Sequence, residues 1–182
     1  MKTINYLFIA SLAMMSCKQQ NNDKTASEES IKTETEATQE LASNNDGWKI
    51  LFDGTNFDSW HMFNGGEVND SWTIKDDAMV LTPSENAGNI VTNEEFKNFE
   101  LSLEWKISEG GNSGFMWAVV EDKDLGEPYL TGPEIQVLDN EKHPDGKNGP
   151  NRHSGALYDM VEPSENTTKP VGEWNNVVLK ID

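Results

Sequence analysis

The stretch Gly132-Pro133-Glu134-Ile135-Gln136-Val137-Leu138-Asp139-Asn140-Glu141-Lys142-His143-Pro144-Asp145 gathers groups that hold and move protons. Carboxylates and an imidazole at short spacing can act as general acid and general base. The competing reading is a half-buried strand followed by a solvated acidic turn. On a strand, Glu134 and Gln136 share one face, and Ile135 and Val137 the other. Ile and Val belong in an interior, which leaves Glu134 and Gln136 facing outward or into a concave groove. Leu138 breaks the alternation, and a bulge there would return Asp139 to the face of Glu134. Glu134, Asp139 and His143 are therefore the candidate acid–base group.

Further polar groups lie close by in sequence. Arg152 is the only arginine in the chain, and it precedes His153 and the block Ser154–Asp159, which contains Tyr158. A guanidinium in so acidic a chain either pairs with a surface acid or holds a developing oxyanion. An imidazole in a loop is a plausible general base, and His153 and His143 are both candidates. His61 follows Trp60 in a strand and reads as structural. The run Gly110-Gly111-Asn112-Ser113-Gly114 has neither the lysine nor the following helix of a phosphate loop. It reads as a turn that brings the Asn112 amide to the groove. Trp117 offers a ring that could stack on a sugar, although core packing is the commoner fate of a strand tryptophan. Asp139 and His143, with Glu134, are also ligand types for a divalent metal that would polarise a carbonyl. Asp122, Asp124 and Glu127 lack the glycine and closing glutamate of a standard calcium loop and read as solvated acids.

These residues need a scaffold of period two. Phe99-Glu100-Leu101-Ser102-Leu103-Glu104-Trp105-Lys106-Ile107 alternates apolar and polar throughout, the pattern of a half-buried antiparallel strand. Other predicted strands are 48–52, 71–75, 78–82, 114–120, 134–138, 156–161 and 174–181. Turn residues separate them at Asp53-Gly54, Asn64-Gly65-Gly66, Asp76-Asp77, Gly110-Gly111-Asn112 and Pro163-Ser164. A single helical turn is expected near Asn93–Phe96. Many short strands with regular turns predict an all-β sandwich or jelly roll.

The N-terminal quarter has a different composition. Lys2 and the apolar run Leu7–Met15 read as a signal peptide, 1–16, ending at the only cysteine, Cys17. Met14-Met15-Ser16-Cys17 is similar to a bacterial lipobox, which implies lipidation of Cys17 and a cell-envelope location, with the membrane side open. Residues 17–46 are polar and acidic and are expected to form a disordered tether, followed by one domain at 47–182. The mature chain has no cysteine pair, so its fold must rest on its core. The chain carries a net charge of −18, which argues against nucleic acid or an anionic lipid surface as a partner. The final strand runs to Asp182 with no turn or partner after it, and the chain is expected to be an N-terminal piece of a longer protein.

An opening motif and five ordered blocks after it carry a family resemblance. Trp48-Lys49-Ile50-Leu51-Phe52-Asp53-Gly54 with Trp60 resembles the opening of the 3-keto-disaccharide hydrolase domain family. The match continues through Phe99–Trp105, Gly110–Gly114, Gly132–Asp139, Ser154–Asp159 and Gly172-Glu173-Trp174-Asn175. The resemblance implies a concanavalin-like jelly-roll β-sandwich, here missing its last strands, in an exported protein acting on oxidised sugars. Glu134-x-Gln136-x-x-Asp139 is also similar to the E-x-D-x-x-E signature of laminarinase-type glycoside hydrolases on the same sandwich, with two of its three residues changed. A 3-keto sugar changes what a site must supply. The ketone acidifies the C2–H, so a base can remove that proton and expel the anomeric oxygen, and water then adds across the enone. Glu134, Asp139 and His143 would serve as acid and base. Gln136, Asn112, Arg152, His153, Tyr158 and Trp117 would orient a 3-keto-glycoside. Two other functions fit the same residues: a non-catalytic carbohydrate-binding sandwich, and a hydrolase of unoxidised glycosides.

Overall fold

The computed structural model describes residues 47–182, together with the backbone of two short strands, β1 (Leu7–Ala10) and β2 (Met14–Ser16). Apart from those two strands, the expected leader, the expected lipidation site at Cys17 and the expected tether lie outside the described residues. The remaining strands are β3 (Trp48–Ile50), β4 (Trp60–Met62), β5 (Trp72–Lys75), β6 (Ala78–Leu81), β7 (Ile90–Thr92), β8 (Phe99–Ile107), β9 (Asn112–Met116), β10 (Glu134–Leu138) and β11 (Asn175–Ile181). The fold is an all-β sandwich, as the alternation predicts. Among the described residues no helix is long and apolar enough to cross a membrane.

The long strand β8 organises the larger sheet. β11 pairs along one of its edges from Asn175↔Trp105 to Ile181↔Phe99. Its other edge is met by β2 at Ser102 and Leu101 and by β1 at Ile107 and Lys106, which connect it to β3 and to the β6–β5 hairpin. The hairpin turns on Asp76 and Asp77, both left-handed at φ 52° and 57°. That is the two-residue geometry whose twist suits a hairpin, and aspartate tolerates it through its short polar side chain.

The polar and apolar alternation of β8 does what it predicts. Leu103, Trp105 and Ile107 are buried while Glu104 is exposed. They pack with Phe52, Trp72, Met79 and Val137 into the main core, against which Phe115 also packs. Val137 and Phe115 come from the two-stranded β9–β10 ribbon, so the inner face of that ribbon closes the core and its outer face is left for polar groups. The indole N–H groups of Trp60 and Trp72 donate to Leu51 O at 2.8 Å and Gly88 O at 2.9 Å, which satisfies each ring's one polar atom.

Three differences from the sequence reading concern loops. The helical turn expected near Asn93 is absent. Helical geometry appears instead as three short 3-10 turns, Pro128–Leu130, Pro144–Asn148 and Pro150–Arg152, each with proline in its first turn, where no N–H is needed. The strand expected at 114–120 begins and ends earlier, at Asn112–Met116. Ala156–Val161 is no strand but makes isolated bridges, Ile135↔Leu157 and Leu157↔Val161.

Candidate active site

The site is built on β10. One edge pairs with β9 in the register Glu134↔Met116, Gln136↔Gly114 and Leu138↔Asn112. The other edge holds the segment 154–158 as a strand surrogate: Gln136 N donates to Ala156 O at 3.0 Å, Gly155 N to Gln136 O at 2.9 Å, and Tyr158 N to Glu134 O at 2.9 Å. Where that ladder runs out, the buried Ser154 hydroxyl replaces a peptide group, accepting from Leu138 N at 2.6 Å and donating to Leu138 O at 2.8 Å. This pairing sets Tyr158 beside Glu134.

The intervening loop folds back over the same end. Asp145 lies in the 3-10 turn Pro144–Asn148, with its backbone N–H donated to His143 Nδ1 at 3.2 Å. Its carboxylate accepts from the Tyr158 hydroxyl at 2.7 Å, from Asn148 Nδ2 at 2.8 Å and from Arg152 Nη1 at 2.9 Å. Arg152 also donates from Nη1 to the Tyr158 oxygen at 3.1 Å and from Nε to Asp159 Oδ1 at 3.1 Å, and its Nη2 lies 3.1 Å from Asp159 Oδ2. The guanidinium sits 5.3 Å from the centre of the Tyr158 ring. Asp145, Arg152, Tyr158 and Asp159 thus form one clamp beside Glu134.

The electrostatics separate the two carboxyls nearest the clamp. Burial, reinforced by the negative charge of Asp145, pushes the Glu134 carboxyl up to about 7. Burial acts upward on Asp145 too, but hydrogen bonds from Tyr158, Asn148 and Arg152, with the charge of Arg152, hold it down at about 2. Burial and the bond to Asp145 raise the Tyr158 phenol, which stays protonated at neutral pH, and the bond to Asp145 keeps Arg152 charged. The result is one permanent anion, one permanent cation, a phenol donor, and a half-buried carboxyl that titrates where a proton-transfer group is most useful.

Several expected members fall elsewhere. No bulge forms at Leu138: pairing continues regularly, with Asp139 N donating to Gly111 O at 3.0 Å. Asp139 therefore has the opposite parity to Glu134. It is buried, and its oxygens accept from Gly110 N at 2.7 Å and from Glu141 N and Lys142 N at 3.1 Å each. It caps a turn and does not share the strand face of Glu134. Gln136 is only 2% exposed, and its Oε1 accepts from Val137 N at 2.9 Å, which removes it from any ligand surface. His153 bonds the Gly146 carbonyl through Nε2 at 2.8 Å and braces the loop. Asn112 is exposed but lies four residues along the ladder from the Glu134 end, about 13 Å at ordinary strand rise. Trp117 follows β9 at the Glu134 end and is half-buried. Among the described residues no group of three or more His, Cys, Asp or Glu is placed to hold a metal, and the Asp139 oxygens are spent on peptide groups. His61 is structural as expected, bridging Asn93 at 2.7 Å and Glu121 at 2.9 Å.

Asp145 and Asp159 are the site residues that the sequence reading passed over. Asp145 sits in a proline-opened 3-10 turn with no periodicity to assign it a face; its neighbour His143 is the signal that marked the loop. A surface depression of about 340 Å³ elsewhere, lined by Asn69, Asp70, Ser71, Thr82, Ser84 and Asn86, holds a single carboxyl. Its Ser71 and Ser84 hydroxyls bond each other at 2.7 Å, so it lacks an acid–base pair.

Residues 47–182 match the family described as the 3-keto-alpha-glucoside-1,2-lyase-like domain. A curated protein of Bacteroides thetaiotaomicron named 3-keto-disaccharide hydrolase is 35% identical, in an alignment covering 100% of this chain and 73% of that protein. A crystal structure of a candidate glycosyl hydrolase from Parabacteroides distasonis superposes with a TM-score of 0.68 at 33% identity. The match covers 75% of this chain and 64% of that one, so this chain spans a little under two thirds of that relative. With the five sequence blocks, the sandwich and the whole-domain match in agreement, the chain belongs to the 3-keto-alpha-glucoside-1,2-lyase-like family.

Proposed function

We propose that the protein cleaves 3-keto-glycosides by elimination and hydration, with Glu134 as the base. The observation that carries this reading is the pairing of unlike carboxyls. Asp145 is held ionised by three donors, and Glu134 beside it is raised to about 7 by burial and by that neighbour's charge. A base near its titration point at working pH combines an available ionised form with useful proton affinity. The name of the Bacteroides thetaiotaomicron relative and the family description favour a 3-keto sugar as substrate.

The steps balance within that chemistry. Glu134 takes the C2 proton, the C–H electrons move toward the C3 ketone, and the C1–oxygen bond breaks with its electron pair on the leaving alcohol. The Tyr158 hydroxyl, which donates to Asp145 in the resting site, turns to protonate that oxygen and recovers its proton from the water that adds, and Arg152 supplies the positive charge beside a developing enolate. Water then adds at C1 of the enone and a proton returns to C2, giving the free 3-keto sugar. No residue is asked to be a strong nucleophile.

The same proposal puts the domain in the cell envelope, anchored through a lipidated Cys17 with 18–46 as spacer, a maturation that removes β1 and β2 from the sheet. Incubation with 3-keto-trehalose or a 3-keto-glucoside should release free 3-keto-glucose, while the unoxidised glycosides should stay intact. Cleavage of both at similar rates would move the assignment to an ordinary glycoside hydrolase. Sugar binding without cleavage of either would move it to a carbohydrate-binding module.

A further inference from the structure

We propose that Gly114 is a positioning residue for the reaction: the side chain missing from β9 is the seat in which the Glu134 carboxylate lies, facing the Asp145–Arg152–Tyr158 clamp. A Cβ placed on Gly114 would fall 1.9 Å from Glu134 Oε1 and 2.6 Å from both its Cδ and Cγ. These distances are far inside van der Waals contact, so the carboxylate occupies the volume that any other residue at 114 would fill. The register explains the contact. Gly114 faces Gln136 and lies one pair along the same sheet face from Met116, the partner of Glu134, so the Glu134 chain lies diagonally across β9 onto the glycine.

The backbone does not require glycine here. Gly114 is absent from the left-handed positions, which include Gly110 at φ 65° and Gly149 at φ 124°. Glycine in a strand interior weakens the strand and commonly marks a close approach. With an L-compatible backbone and an occupied Cβ volume, the approaching group is Glu134. A methyl at 114 would turn the carboxylate out of its half-buried seat toward water and remove the burial that holds its proton affinity up.

The inference rests on the proposed role of Glu134 and is tested so that the two can fail separately. In the full chain with glutamate carboxyl carbons labelled, NMR titration assigned by Glu134→Gln should show one carboxyl near 7 in the parent. In Gly114→Ala that carboxyl should move down toward 4.5, and turnover of a 3-keto-glucoside should fall at least tenfold in kcat, with KM changed less. A Gly114→Ala protein with the parent titration and kcat would overturn the proposal. Stability supplies the second arm: Gly114→Ala should cost stability in the parent but be neutral or favourable in a Glu134→Ala background. Equal cost in both backgrounds would show that the methyl meets something other than Glu134. A titration that moves in Gly114→Ala, when neither protein turns over the sugar, would leave the seat intact and remove only the substrate assignment.

Discussion

At the residue scale, the proposed mechanism rests on the different environments of Glu134 and Asp145. Glu134→Gln should lower kcat by about 10²-fold or more, the usual worth of a positioned general base, with a smaller effect on KM. Its effect on stability has a definite sign. The folded protein holds the Glu134 proton up to about 7 against an ordinary 4.5, so this contribution is complete below 4.5 and is lost as pH rises through 7. The uncharged variant escapes that loss, so thermal unfolding should show Glu134→Gln gaining on the parent between pH 4.5 and 8. Asp145→Asn removes the anion that adds to the effect of burial on Glu134, and the acidic limb of the kcat profile, set by protonation of that base, should move to lower pH. An unmoved limb would show that burial alone sets Glu134. Asp145 follows the opposite rule: its stabilisation is present above the ordinary carboxyl range and is lost as pH falls through about 2.

At the element scale, the site depends on a strand surrogate held by one hydroxyl. Ser154→Ala leaves both Leu138 N and Leu138 O without their partner in a buried place, a cost of about 1–3 kcal/mol. Because segment 154–158 carries Tyr158, activity should fall as well. Asp139→Ala should behave differently: it strips the acceptor from three peptide N–H groups and should cost stability by denaturant unfolding, about 2 kcal/mol, while leaving the pH limb in place. A moved limb would return Asp139 to the catalytic group. This contrast shows where the sequence was readable. β8 and the ribbon strand β10 follow from their alternation, because burial on one face leaves a period of two in the residue types. The place of Glu134 at the start of β10 came with them. Asp139 was misplaced because a bulge was inferred from Leu138, an apolar residue at an outward parity. Leu138 is instead fully buried on the outer ribbon face, beside the segment 154–158 that pairs along the edge of β10. That loop, which delivers Asp145, is set by prolines, a serine hydroxyl and a buried aspartate acting over distance, and such contacts leave no period in the sequence.

At the scale of the whole molecule, the core and the charge set the conditions. Trp105 is 4% exposed in the cluster that joins β8 to the ribbon, and Trp105→Ala should cost about 3–5 kcal/mol and take the site with it. The net charge of −18 gives the surface a field that disfavours anionic ligands. A 3-keto sugar bearing a carboxylate should therefore have a lower kcat/KM than its neutral counterpart, with the gap narrowing as salt screens the field. A gap indifferent to salt would place the discrimination in local contacts. The most direct measurement on the molecule as a whole follows the hydrogen at C2. A 3-keto-glucoside carrying deuterium there should be cleaved more slowly than its protiated counterpart, release product in which the label has washed out to solvent, and resist Glu134→Gln. Cleavage at equal rates with the deuterium kept at C2 would contradict proton abstraction by Glu134.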